Sequence, residues 1–293
     1  MTTDCHLSVQ QSPTPVLSFE DYEVGQLWRS ADREITEEFI QDFGRLTGDT
    51  SPLHTDPDFA AATPFKRPIA HGPLGIGLYF GLLWEDPAAR ARIVAALDAK
   101  WNFRGAIFAG DSVHAEMTIV RCRTTKNPDH GLVNRHVRIV NQDGVEVQSG
   151  TTAVLIARDG RENSLVHRDF GTIEWASALA EILREDQEFV SGCATFDGTI
   201  GLAAGAHEVQ LRVYKGQIID ITRRAPLGAT FTVTGEEVAW TRLATGDYND
   251  FVVRAGRGEF ATYGDTYQYL RLSKSMSRIW EATRQLATSG GMK

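Results

Sequence analysis

The chain has 293 residues, longer than a single typical domain, and its 42% hydrophobic content is enough for two buried cores. A net charge of −8 at pH 7 excludes a nucleic-acid or anionic-membrane binder, whose partner demands a basic surface. Three cysteines, Cys5, Cys122 and Cys193, stand far apart without CxxC spacing, so neither a disulfide framework nor a zinc site follows from them.

Residues 1–17 are polar, hold two prolines and read as a loose leader. They show no basic segment followed by an apolar run, and the longest apolar stretch, near Gly75–Trp84, is too short to span a bilayer. The chain also ends Gly-Gly-Met-Lys rather than in a Ser-Lys-Leu address, so the expectation is a soluble cytoplasmic protein. Thr36 is placed to cap a helix carrying Phe39, Ile40, Phe43 and Leu46 at helical spacing, with Glu37 and Glu38 in its first turn and Gly48 as its stop. A polar loop and a short apolar turn, Phe59 to Phe65, come next.

A second helix is expected after His71-Gly72-Pro73, with proline at a first helical position. Leu74, Ile76, Leu78, Tyr79, Phe80, Leu82 and Leu83 make it apolar nearly all round, which predicts enclosure. Period-two alternation then marks strands at Val113–Ile119, at Val137 and Ile139, and at Val145–Leu155, with Asn141-Gln142-Asp143-Gly144 as the hairpin turn between the last two. An enclosed helix followed by long antiparallel strands implies an α+β unit with a sheet curled round a helix.

The polar stretch 158–171 reads as a linker between a domain at 18–157 and another at 172–293. In the second, Trp175, Leu179, Ile182 and Leu183 share a helical face. Strands are expected around Gly201–Leu202, His207–Val213, Gln217–Thr222 and Thr230–Val233, with a turn at Lys215-Gly216. A helix carrying Val238 and Leu243 follows, and residues 272–286 have helical character.

Chemistry concentrates in Thr47-Gly48-Asp49-Thr50-Ser51-Pro52-Leu53-His54. Ser51-Pro52 can turn the chain so that the carboxylate and the imidazole converge, and such a pair can activate water near neutral pH. That spacing alone is commonplace, and a helix cap plus a solvated loop would also explain it.

The surrounding run is more specific. Leu46-Thr47-Gly48-Asp49, Ser51-Pro52-Leu53-His54, Asp56, Phe59-Ala60, Phe65 and Pro68-Ile69-Ala70-His71-Gly72, continued by Phe103, Gly110-Asp111-Ser112-Val113 and Glu116, resembles the MaoC-like dehydratases, or (R)-specific enoyl-CoA hydratases, over residues 19–157. The resemblance implies the hot-dog fold, with antiparallel strands wrapping a central helix. It also implies that Asp49 and His54 hold the attacking water and that the Gly72 N–H polarises the thioester carbonyl. No metal or redox cofactor is then needed, because coenzyme A enters as part of an acyl-CoA thioester substrate. A homodimer or higher even oligomer is expected, since single hot-dog units in that family pair to complete the pocket.

Ser51 stands where that family usually has asparagine. Pro73, Gly75 and Gly77 occupy the start of the central helix, and two glycines there leave two readings open: room for a bulky acyl group, or close packing of helix on strand. Ser51, His71, Pro73, Gly75, Gly77 and Phe103 are the expected substrate-side residues. Lys66, Arg67 and Arg104 are candidates for coenzyme A phosphates. His114, His130, His136, His167 and His207 carry no partner signature.

The second half looks like the sterol carrier protein 2 (SCP2-like) lipid-binding domain, on Ile218–Ile221, Ala229–Val233, Trp240, Leu243, Gly246-Asp247-Tyr248, Gly258-Glu259-Phe260 and Gly264-Asp265. Trp175, Trp240, Trp280, Tyr267, Tyr269 and Phe251 are candidates to line a ligand tunnel there. The implied whole is an enoyl-thioester hydratase or dehydratase with an appended lipid-binding module. A non-catalytic acyl-CoA carrier and a dehydratase acting on acyl-carrier-protein thioesters are the alternatives.

Overall fold

The computed structural model describes residues 16–161 and 168–289. Cys5, His167, most of the leader, the middle of the linker and the final Gly-Gly-Met-Lys lie outside the described residues. Within them the chain divides into two compact units, and three of the dividing lines fall inside strands. One unit takes the described residues up to 21 with 28–117 and 137–159, and the other takes 22–27, 118–136 and the described residues from 160 onward.

The first half contains β1 (Leu27–Arg29), β2 (Arg33–Glu34), α1 (Glu37–Thr47), α2 (Pro52–Thr55), α3 (Pro57–Ala61), α4 (Leu74–Glu85), β3 (Ile93–Phe103), β4 (Ser112–Thr124), β5 (His130–Asn141) and β6 (Glu146–Ala157). The sheet runs β1-β4-β5-β6-β3, with β2 beside β4. The Thr36 hydroxyl accepts from the Phe39 N–H, and Gly48 closes α1 at φ 79°, so both ends of that helix follow local cap chemistry. Its apolar face is narrower than the spacing predicts: Ile40 is buried, whereas Leu46 is 87% exposed.

Helix α4 lies on the sheet through Leu74, Gly75, Leu78, Tyr79, Leu82 and Leu83, all buried. The Tyr79 hydroxyl reaches the Met117 sulfur of β4 at 3.2 Å, and its ring stands 6.3 Å from Trp101 of β3. Burying each such large apolar side chain contributes about 1.5–3 kcal/mol. This is the hot-dog arrangement, a helix held against an antiparallel sheet. The enclosure is one-sided, however. Pro73, Gly77, Gly81 and Trp84, spaced at three and four residues, form an exposed stripe.

Strand β3 is not foreseen by the sequence reading. Ile93-Val94-Ala95-Ala96-Leu97-Asp98 carries no period-two alternation, and β3 is an edge strand whose pairing with β6 shifts register twice, between Ile93 and Ala95 and between Ala96 and Asp98. Without a buried face, alternation has nothing to encode.

The second half contains α5 (Ile173–Glu185), α6 (Gln187–Gly192), β7 (Asp197–Ala204), β8 (His207–Tyr214), β9 (Gln217–Thr222), β10 (Phe231–Gly235), α7 (Glu237–Thr245), α8 (Phe251–Gly256), β11 (Phe260–Gly264), α9 (Thr266–Arg271) and α10 (Ser273–Ser289). Its sheet runs β11-β10-β7-β8-β9, with β10 parallel to β7 and the other pairs antiparallel. The Lys215-Gly216 turn has both residues at positive φ, 47° and 82°, as a tight hairpin requires.

Trp175, Trp240, Trp280 and Phe251 are buried and packed ring to ring. Trp240 meets Trp175 at 5.9 Å and Trp280 at 5.7 Å, and Phe251 stacks on Trp280 at 4.3 Å. Tyr269 edges onto Phe231 at 5.6 Å, and Tyr267 faces outward. A buried Arg121 gives hydrogen bonds to Glu237 at 2.6 Å, to Asp169 at 2.5 Å and to the Phe170 carbonyl at 2.7 Å.

Candidate active site

Three short segments build the site, and local chemistry shapes each. After Gly48 ends α1, the Asp49 carboxylate accepts from the Ser51 N–H at 3.3 Å, an Asx-type turn that aims the carboxylate. The Ser51 hydroxyl in turn accepts from the Leu53 N–H at 3.4 Å and caps α2, whose Pro52 sits at its first position. One residue thus orients the carboxylate with its N–H and starts the helical turn that carries His54 with its hydroxyl.

The His54 ring is fixed from a distant segment. Its Nδ1 lies 2.7 Å from the Ile69 carbonyl oxygen. A carbonyl only accepts, so Nδ1 carries the proton and, in the neutral ring, Nε2 keeps its lone pair for a substrate or water proton. Ile69 is itself bridged to Phe108. The Phe108 N–H donates to Asp111 at 2.8 Å, and the other Asp111 oxygen accepts from Gln142 at 3.1 Å. Asp111 is therefore connected to His54 through a short ladder, Asp111 to Phe108, Phe108 to Ile69 and Ile69 to His54. Glu116, in the same run, accepts from Arg138 at 2.7 Å and is occupied in that pair.

One donor atom each from Asp49, His54 and His71 lies within 4.8 Å of the other two. A single water spans such a separation with two ordinary hydrogen bonds. Asp49 is exposed, His54 half-buried and His71 buried. Two of the four ring nitrogens are already committed to carbonyl oxygens, Nδ1 of His54 to Ile69 and Nε2 of His71 to Asp49 at 2.8 Å. That leaves the carboxylate and two ring nitrogens; His71 Nδ1 is buried, so the lone pair of His54 Nε2 is the one that suits proton transfer.

Gly72 directly precedes Pro73 and the first turn of α4. Its N–H has no acceptor among the described residues, while its carbonyl accepts from Gln148 at 3.1 Å. A β-carbon at Gly72 would stand 3.1 Å from the Phe103 ring, so glycine is what lets that ring lie over the peptide. A free N–H at a helix start, with the positive end of the helix dipole behind it, suits a developing oxyanion.

The remaining expected residues divide. Gly75 faces β6, where an added β-carbon would overlap the Gln148 amide. Gly77 opens outward with nothing within 4 Å of an added β-carbon. Pro73 is exposed beside it. The Arg67 guanidinium stacks 3.9 Å over Phe108, Arg104 pairs with Glu146 at 2.8 Å, and Lys66 is exposed at φ 65°. A groove of about 210 Å³ reaches His54 between Glu37, Ile40, Gln41, Thr55, Pro57, Arg67, Pro68 and Ala109.

Gln148 is the residue that sequence reasoning misses. It is buried, accepts from the Trp101 indole N–H at 2.8 Å and donates to the Gly72 carbonyl. Its signal is the polar pair Gln148-Ser149, which breaks the alternation of β6 where both residues are buried.

The MaoC like domain model matches residues 22–140. The (R)-specific enoyl-CoA hydratase of Aeromonas caviae is 35% identical over 138 residues, which are 47% of this chain and 98% of that one. The mouse peroxisomal multifunctional enzyme type 2 is 26% identical over 196 residues, 61% of this chain and 25% of that one. Among solved structures, the (R)-hydratase from A. caviae involved in PHA biosynthesis is 33% identical with a TM-score of 0.39, covering 46% of this chain and 97% of that one. Nearly the full length of the A. caviae enzyme thus finds its counterpart in the half of the chain that holds Asp49, His54 and Gly72, and the chain belongs to the MaoC-like dehydratase family.

Proposed function

We propose that this protein adds water to, or removes it from, the double bond of a 2-enoyl-CoA thioester, with Asp49 and His54 as the acid/base pair and Gly72 as the oxyanion donor. The observation that carries the reading is the His54 ring, held through Nδ1 by the Ile69 carbonyl so that Nε2 keeps its lone pair, with one of its nitrogens within 4.8 Å of an Asp49 carboxylate oxygen. Relatives named (R)-specific enoyl-CoA hydratase and 3-hydroxybutyryl-CoA dehydratase support the same reaction class.

In the hydration direction, the water held by Asp49 and His54 attacks the β-carbon as one of its protons passes to the pair. The electron pair of the double bond moves to the thioester oxygen, where the Gly72 N–H and the start of α4 meet the negative charge. The proton then returns to the α-carbon, so water is added whole and the pair is regenerated. Dehydration runs the same steps backward.

The active form in this reading is a homodimer. Edge strand β3 leaves Ile93, Val94, Leu97 and Phe103 exposed, and α4 leaves its Gly77, Gly81 and Trp84 stripe exposed, apolar positions that a second copy would cover. The second unit serves as a lipid- or acyl-CoA-binding module, and a fluorescent fatty-acid displacement titration checks that assignment.

The deciding experiment is hydration of crotonyl-CoA and of a ring-bearing enoyl-CoA, followed at the absorbance of the conjugated thioester. Turnover of either substrate supports the reading. Tight binding with no turnover of either makes the protein a carrier, and turnover confined to acyl-carrier-protein thioesters moves the substrate class.

A further inference from the structure

We propose that His71 is the positioning residue that holds the acid/base pair and the oxyanion donor in register; this rests on the hydratase reading above. His71 is fully buried and touches each part of the site by a different physical link. Its Nε2–H donates to the Asp49 backbone carbonyl at 2.8 Å, across 22 residues of sequence. Its ring stacks on the His54 ring with centroids 3.9 Å apart and planes 31° from parallel. By the chain itself it is bonded to Gly72. One imidazole therefore sets where Asp49 begins, how His54 can tilt and where the oxyanion peptide lies.

The surroundings are shaped for that ring. Phe43 of α1 also packs against it, with centroids 5.1 Å apart and planes 41° from parallel. Gly44, one helical residue further, has no side chain where the ring and the Asp49 carbonyl meet: an added β-carbon would stand 3.0 Å from that carbonyl oxygen and 3.3 Å from His71 Cε1. The Nδ1 atom of His71 is buried with no hydrogen-bond partner. A ring kept only for packing would be served as well by phenylalanine or leucine, without burying an unpaired nitrogen at a cost to folding. Keeping an imidazole there is explained by the one bond it makes, the donation from Nε2 to Asp49.

Losing that bond frees the Asp49 turn to drift relative to His54, and a displacement on the order of 1 Å costs about 100-fold in turnover. His71→Leu keeps the bulk and removes the donor, so kcat should fall about 100-fold with KM changed by less than about threefold. His71→Gln places an N–H near the position of Nε2 and should recover kcat to within about tenfold of wild type. Gly44→Ala strains the same contact from the α1 side while favouring the helix, and should lower kcat about tenfold by the same displacement argument, at unchanged melting temperature.

These variants are to be assayed on crotonyl-CoA in the full-length protein, with circular dichroism confirming the fold. If His71→Leu does not fold, the Gln and Gly44→Ala pair carries the test alone. Equal losses in the Gln and Leu variants, or wild-type kcat in Leu or in Gly44→Ala, would overturn the proposal. Absence of hydration by the wild-type protein would instead overturn the reading of the site, which keeps the two failures separate.

Discussion

The amide of Gln148 occupies the space that a β-carbon on Gly75 would take, so a strand residue and a helix residue 73 positions apart in the chain exclude one another's volume. The same amide joins Trp101 of β3 to the carbonyl of Gly72. Close approach of α4 to β6 at this point therefore places the oxyanion peptide. Gly75→Ala should force the amide away and destabilise the protein by about 1–3 kcal/mol. Denaturant unfolding of Gly75→Ala, Gln148→Ala and the double variant checks it, and the two changes together should cost less than their sum. Additive losses would mean that the two residues do not share one space.

The acid/base pair should be separable from the fold. Asp49 is exposed and His54 half-buried, so Asp49→Asn and His54→Ala remove little packing. Each should lower kcat by about 10²–10⁴-fold on crotonyl-CoA. Wild-type-like turnover in either variant, in protein of unchanged melting temperature, would remove that residue from the mechanism.

Gly77 asks a different question from Gly75, because it faces outward into open space. The β-carbon of Gly77→Leu meets no atom within 4 Å, and the change should leave monomer folding intact. If the α4 stripe is covered by a second copy, the added bulk should weaken the dimer at least tenfold, about 1.4 kcal/mol. Sedimentation equilibrium of wild type and variant reads this directly. A dimer of unchanged affinity would place the interface elsewhere.

A pH effect is expected in the second unit. Burial, followed by the charges of Arg121, Arg123 and Arg223, pushes His207 down from 6.5 to about 4. Between those values the unfolded chain binds the proton that the folded chain refuses, so stability contributed by neutral His207 is full above about 6.5 and is lost as pH falls toward 4. Burial raises the Asp169 and Glu237 carboxyls, against the opposing charge of Arg121, and these groups lean the other way as pH rises. The difference between proteins is therefore the measurement. Wild type should lose more melting temperature than His207→Gln between pH 7 and pH 5, and parallel curves would rule out His207 as the source.

Much of the site was legible in the sequence where its causes are short-range. Thr36 and Gly48 bound α1 through cap chemistry that spans three or four residues. Asn141 to Gly144 turn the β5–β6 hairpin, with Gly144 at φ 74°. Ser51 and Pro52 start the turn that brings His54 round to Asp49. Each of these depends on side chains bonding to backbone within a few positions, so residue order alone determines it.

Tertiary structure decided the rest, because those relationships join residues that sequence spacing does not connect. Strand β3 exists through its pairing with β6, and its own residues, exposed on both faces, carry no alternation to announce it. The tautomer of His54 is set by the Ile69 carbonyl, and the place of Asp49 by a bond from His71, which the motif marks without revealing its partner. The two glycines of α4, alike in sequence, part ways for the same reason. The sheet stands against Gly75 and leaves Gly77 open, and only the packing of helix on strand distinguishes them.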